Sequence, residues 1–224
     1  MNPLVVFFAL GPVAVYLLLL AATGLSRRPK LVTGVRDTIA LAVAVSGLVL
    51  LGPWELLVPF EANVAFGPFV WLLLIALYAL TVTLIALLGR PKLVIYNITV
   101  DQLRPILAEV MSRLDPAARW AGDCISLPEL SVQLYLDNFA GMRTVSLVAA
   151  GGRQNSIGWR HLETALRAAL AREELSRSPR GLILLVAGAI CLGIIALAVA
   201  HDPQWTASSL RDLYDIIRSM FGIY

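Results

Sequence analysis

Residues able to do chemistry are few in this chain and widely spread. Among 224 residues there are two histidines and two cysteines. His161 has no cysteine or second histidine at ligand spacing, so it reads as a half-exposed helix residue and not a metal ligand. His201 closes a long apolar run, where an interfacial residue belongs. Asp123 precedes Cys124, but no base is spaced to serve a thiol nucleophile, and packing is the expected role of that cysteine. Cys124 and Cys191 fall in segments of different character, so no disulfide is expected. The stretch Gly-Gly-Arg-Gln-Asn-Ser at 151–156 can cradle a small anion where a helix begins, with Arg153 and Arg160 as candidate contacts. It lacks the P-loop spacing of glycine and lysine, so its main reading is a plain strand-to-helix loop. The residues therefore predict no catalytic group, no cofactor and no metal.

The elements that would position these residues divide sharply by composition. The chain is 58% hydrophobic and 15% charged, where soluble domains carry about 25% charge. The deficit is local. Charges vanish from four windows and are ordinary elsewhere, as in a polytopic membrane protein with one soluble insert. Net charge is +3, and the arginines flank apolar runs, which is weak support for nucleic acid.

Three apolar runs precede the insert, at about 4–23, 38–57 and 68–88, within residues 1–89. The first is too long, and too poor in preceding positive charge, for a cleaved signal peptide. Pro12 should kink it. In the second, Thr38, Ala42 and Ser46 share one small-residue face, suited to close helix packing. Residues 181–201 form a fourth run, in which Ala189 and Gly193 are a small pair of the same kind. The loop Ser26–Asp37 is basic, the loop 53–67 has two glutamates and no basic residue, and arginines bound the insert at both ends. The positive-inside rule then threads both termini outside and residues 90–180 into the cytoplasm of a cell (inner) membrane. Apart from Glu55 near the end of the second run and His201 closing the fourth, none of the four runs carries a charged or histidine residue, which disfavours a channel, a lone transporter or an intramembrane protease. The segment Arg-Pro-Lys-Leu-Val occurs twice, at 28–32 and 90–94, each time just after an apolar run. Two copies of five residues do not establish a repeat, but they agree that both exits face one compartment. Residues 202–224 read as an amphipathic helix lying on the outer membrane surface or on a partner's groove.

The insert reads as β-α-β-β-β-α. Leu93–Ile98 is a strand, and Thr99 with Gln102 is a capping box for a helix that closes at Asp115-Pro116. Strands follow at 119–127, 130–136 and 143–149, and Asn155 or Ser156 caps a second helix. The fold class is thus an α-helical polytopic membrane protein with four transmembrane helices and an inserted cytoplasmic two-layer α+β domain. Leu130, Val132, Leu134 and Leu136 face the core. Ser131, Gln133 and Tyr135 face the other way and form the candidate partner face.

The helix–three-strand–helix order resembles that of double-stranded-RNA-binding domains, a likeness of topology alone. The lysine cluster that would grip phosphates is replaced here by Ser156-Ile157-Gly158-Trp159-Arg160-His161, so nucleic acid is not the expected partner. The sequence reading is an integral membrane scaffold, assembly or accessory-subunit protein without catalysis of its own. Its partners would be the lipid bilayer and a second protein or a second copy. The alternative is a ligand-sensing or transport-accessory subunit that binds a small anion at the cytoplasmic domain.

Overall fold

The structure, a computed structural model, describes residues 3–51, 69–139, 143–152, 154–174 and 179–201. The tail 202–224, the loop 52–68 and Arg153 lie outside the described residues. In chain order the elements are α1 (Pro3–Leu25), β1 (Lys30–Thr33), α2 (Gly34–Leu51), α3 (Phe69–Leu88), β2 (Lys92–Tyr96) and α4 (Val100–Leu114). They continue with β3 (Arg119–Ala121), β4 (Cys124–Leu127), β5 (Val132–Phe139), β6 (Thr144–Ala149), α5 (Ser156–Leu170) and α6 (Pro179–His201).

The chain divides into two compact units. One comprises Met1–Leu19, Ala40–Thr81 and Leu184–Tyr224; the other comprises Leu20–Ile39 and Val82–Ile183. The first is helical in its described part. A Cβ at Gly47 would collide with the Phe8 carbonyl, so α2 packs on α1 at a point where only glycine fits. Tyr78 on α3 donates to the Ala42 carbonyl at 2.7 Å, which uses the small-residue face expected on α2. On α6 the close contact is not the expected Ala189–Gly193 pair. Gly188 is buried, and a Cβ there would stand 3.0 Å from the Leu18 side chain, whereas Gly193 has open space around it. The contact face is therefore rotated by one residue, about 100° around a helix of 3.6 residues per turn.

Two helices, Val5–Leu25 and Pro179–His201, are long and apolar enough to cross a membrane, and Leu72–Leu88 is a shorter apolar helix. Only 17% and 11% of the most apolar part of these two helices is buried within the chain.

The second unit is a two-layer α+β domain. Its six strands run β1-β2-β6-β5-β4-β3, every neighbouring pair antiparallel. α4 and α5 cover one face. The periodicity of three and four on α4 buries Leu103, Leu107, Val110 and Met111, and α5 buries Trp159, Leu162, Leu166 and Leu170. They meet the inward residues of the strands: Leu93 and Ile95, Val145 and Leu147, Val132, Leu134 and Leu136. A fully buried leucine contributes roughly 1.5–3 kcal/mol, so this shared core is the main stabilising layer.

Two features depart from the sequence expectation. The insert reads β-α-β-β-β-β-α, because the expected strand 119–127 is a hairpin. Gly122, at φ +64, makes the left-handed turn between β3 and β4 that residues with a Cβ adopt rarely. And the basic loop Ser26–Asp37 is not merely a loop. Its Lys30–Thr33 forms edge strand β1, with Leu31 opposite Ile95 and Val32 opposite Val94. The two Arg-Pro-Lys-Leu-Val segments thus contribute paired strands, and the domain includes residues well before position 90.

Polar joints close the ends. Gln102 accepts from the Thr99 amide at 3.2 Å, completing one arm of the expected cap. Asp115, fully buried, ends α4 and accepts from the amides of Ala117 and Glu129, both at 2.9 Å, which ties the helix to the turn before β5. Asp115→Ala removes both acceptors, and a melt of the full-length protein in detergent should show a loss of about 1–3 kcal/mol. Asp115→Asn, which keeps one acceptor oxygen, should lose less.

Candidate functional site

Two of the three residues of the candidate partner face lie on β5. Gln133 is exposed and Tyr135 half-buried on β5, on the sheet face away from α4 and α5. Their cross-strand neighbours on that face are Ser126, Cys124 and Val148. Ser131 is exposed but is not a strand residue; it occupies the turn before β5 with φ 51. The strand starts two residues later than expected, because Ser131 and Pro128 close a turn through a 3.1 Å backbone bond.

Gln154 fixes the backbone beneath this face. Its Oε1 accepts from the Gln133 amide at 3.4 Å and from Trp159 Nε1 at 2.9 Å. Its Nε2 donates to the Gln133 carbonyl at 3.0 Å and to the Ala150 carbonyl. The Gln133 backbone is thereby held from α5's leading loop, while its exposed side chain lies against the loop at Gly151, where an added Cβ would stand 3.0 Å from Oε1. A backbone held rigid under exposed polar side chains suits a recognition surface, since little ordering entropy is lost on contact.

The same face is closed at its other edge. Tyr96 and Lys92 both reach Asp37 in the first turn of α2, the tyrosine as hydrogen-bond donor and the lysine at 3.6 Å. Gly34 provides the space, since a Cβ there would run into the Lys92 side chain. Asn97, buried and with φ 63, donates through Nδ2 to the Ser26 carbonyl at 2.7 Å. The open part of the face is therefore the stretch over β5 and β4.

Cys124 is exposed on that open part, which corrects the expectation of a packing residue. Its neighbour Asp123 is engaged by Arg104 at 2.6 Å, so the aspartate points its charge at α4 and not at the thiol. Among the described residues no group of three His, Cys, Asp or Glu stands close enough to hold a metal ion. His161 is exposed on α5.

Of the two candidate anion contacts, Arg153 lies outside the described residues. Arg160 is exposed on α5 and lines a cleft of about 340 Å³ with Arg90 and Lys92. In the linear sequence Arg90 and Lys92 read only as topogenic charges, since nothing in that order links position 90 to position 160. A second, more polar cleft of about 750 Å³ was not anticipated. Arg104, Arg143 and Arg180 line it together with Asp101 and Asp123. Arg143 Nη2 donates to Gln102 at 3.1 Å, so part of this charge is spent on holding α4 in place.

Comparison with protein families, with curated proteins and with solved structures finds no match to this chain. The class of protein is therefore defined by its own parts: a six-stranded antiparallel sheet with two helices on one face, in a chain that also has two helices long and apolar enough to cross a membrane.

Proposed function

We propose that this is a multi-pass membrane protein that displays its α+β domain in the cytoplasm as an interaction module, serving as a scaffold, assembly factor or accessory subunit without catalysis of its own. Four spans, with both termini outside, agree with the distribution of basic residues around the apolar runs. The large apolar side chains left exposed on α1, α3 and α6, among them Leu19, Leu73 and Leu197, support burial in lipid, because water-facing patches of this extent are rare.

The observation that carries the interaction reading is the asymmetry of the sheet. One face is sealed by α4 and α5, while the other presents Gln133 and Tyr135 on a backbone pinned by Gln154. The partner is a second protein or a second copy of this chain.

A second reading, a ligand-sensing or transport-accessory subunit that binds a small anion, draws on a separate observation: Arg160 shares a cleft with Arg90 and Lys92.

Cross-linking of the native complex tests the first reading. The wild-type chain should give a defined cross-linked species that Gln133→Ala/Tyr135→Ala reduces severalfold while the melting profile holds. An unchanged yield removes the face from the account. The threading has its own check. With Cys124 and Cys191 replaced by serine, Gly152→Cys should resist an impermeant thiol reagent on intact cells and react after permeabilisation; labelling of intact cells would place the domain on the other side.

A further inference from the structure

The cleft around Arg160 combines two chemistries that seldom occur together. One wall is the last turn of α3, where Ile85 and Leu87 are 56% and 78% exposed. The other side is basic, formed by Arg90 just beyond that helix, Lys92 at the start of β2 and Arg160 on α5. The carboxylates within reach are already engaged. Glu163 holds Arg167 at 2.7 Å, and Asp37 holds Lys92 at 3.6 Å and accepts from Tyr96. Among the described residues, Arg90 and Arg160 have no carboxylate partner.

Two guanidinium groups without counter-charge, set against an apolar wall, suit a ligand with a phosphate at one end and hydrocarbon at the other. Guanidinium binds phosphate oxygens through paired donors, and basic clefts beside membrane helices favour anionic headgroups. We propose that this cleft binds an anionic phospholipid, its headgroup phosphate between Arg90 and Arg160 and its acyl chain along Ile85 and Leu87. The inference deepens the anion-binding reading and rests on α3 lying in the membrane. A free phosphate ester would use the arginines equally well but would leave the apolar wall uncovered.

The test uses the full-length protein in phosphatidylcholine nanodiscs containing a minor share of phosphatidylglycerol with the same acyl chains. Native mass spectrometry after release counts the lipids retained. Wild-type protein should retain phosphatidylglycerol over phosphatidylcholine. Arg90→Gln/Arg160→Gln should reduce that preference about thirtyfold, the scale expected for two basic residues at an anionic surface. Arg104→Gln/Arg113→Gln, which removes two arginines from ion pairs elsewhere in the domain, should leave it intact. Millimolar glycerol phosphate should fail to displace the lipid; displacement would assign the site to a free phosphate ester and overturn the lipid proposal. Equal retention of both lipids, or an unchanged preference in the Arg90/Arg160 variant, would also overturn it. Failure of the protein to insert into nanodiscs at all would instead overturn the membrane reading, and loss of the cross-linked complex in Gln133→Ala/Tyr135→Ala concerns a different face.

Discussion

The antiparallel pairing of Lys30–Thr33 with Leu93–Tyr96 is the constraint on which the domain depends. β2 would otherwise be an edge strand with a free row of backbone donors and acceptors beside a hydrophobic core, a template for unwanted pairing. β1 fills that position with a segment anchored at both ends by helices, α1 before it and α2 after it. A four-residue strand lacks the cooperativity to hold a register alone. Here the chain on each side is already fixed, so less loop entropy is lost when it pairs. Leu31 adds its side chain to the edge of the core, and Asp37, one turn into α2, locks Lys92 and Tyr96 from the opposite face. The pairing also brings the exit of α1 and the exit of α3 to neighbouring strands of one sheet. The domain is thus stitched into its helices and not merely inserted between them, and a fragment confined to 90–180 would lack one of its strands.

Much of this was legible in the residues. The three-and-four spacing of Leu103, Leu107, Val110 and Met111, and of Trp159, Leu162, Leu166 and Leu170, marks both covering helices with the faces they bury. Strict alternation marks β5 and β6, and the termination of α4 at Asp115-Pro116 follows from backbone chemistry that acts locally. What was hidden was non-local. β1 is too short to show a period, and its identity with the start of β2 reads, in the linear sequence, only as agreement on threading. The β3–β4 hairpin was compressed into one strand because a two-residue Gly122-Asp123 turn leaves little gap between hydrophobic stretches. The choice of Gly188 over Ala189 and Gly193 as a packing point depends on helix rotation, which a small-residue pattern in an all-apolar run does not specify. The cleft joining Arg90, Lys92 and Arg160 was invisible for the same reason: it exists only once the sheet and α5 are assembled.

The charges of the domain divide into two groups. Arg104, Arg113 and Arg167 are spent on carboxylates of the same domain, and their surface pairs contribute little to stability. Arg90 and Arg160 are not so spent, and they stand beside a helix end with exposed apolar side chains. Meanwhile the open face over β5 and β4 is polar and only lightly charged. The cleft is basic with an apolar wall and the face over β5 and β4 is polar, and the two are built from different residues, so each is open to change without the other.

Hydrogen exchange of the full-length protein in a lipid bilayer tests the central claim directly, because it reads whether Lys30–Thr33 is a strand or a loop. The account predicts that the β1 amides bonded to β2 exchange slowly and in step with those of Lys92–Tyr96, as members of one cooperative unit. Exchange of every amide in 30–33 at the rate of a free loop, with Lys92–Tyr96 still protected, would contradict it.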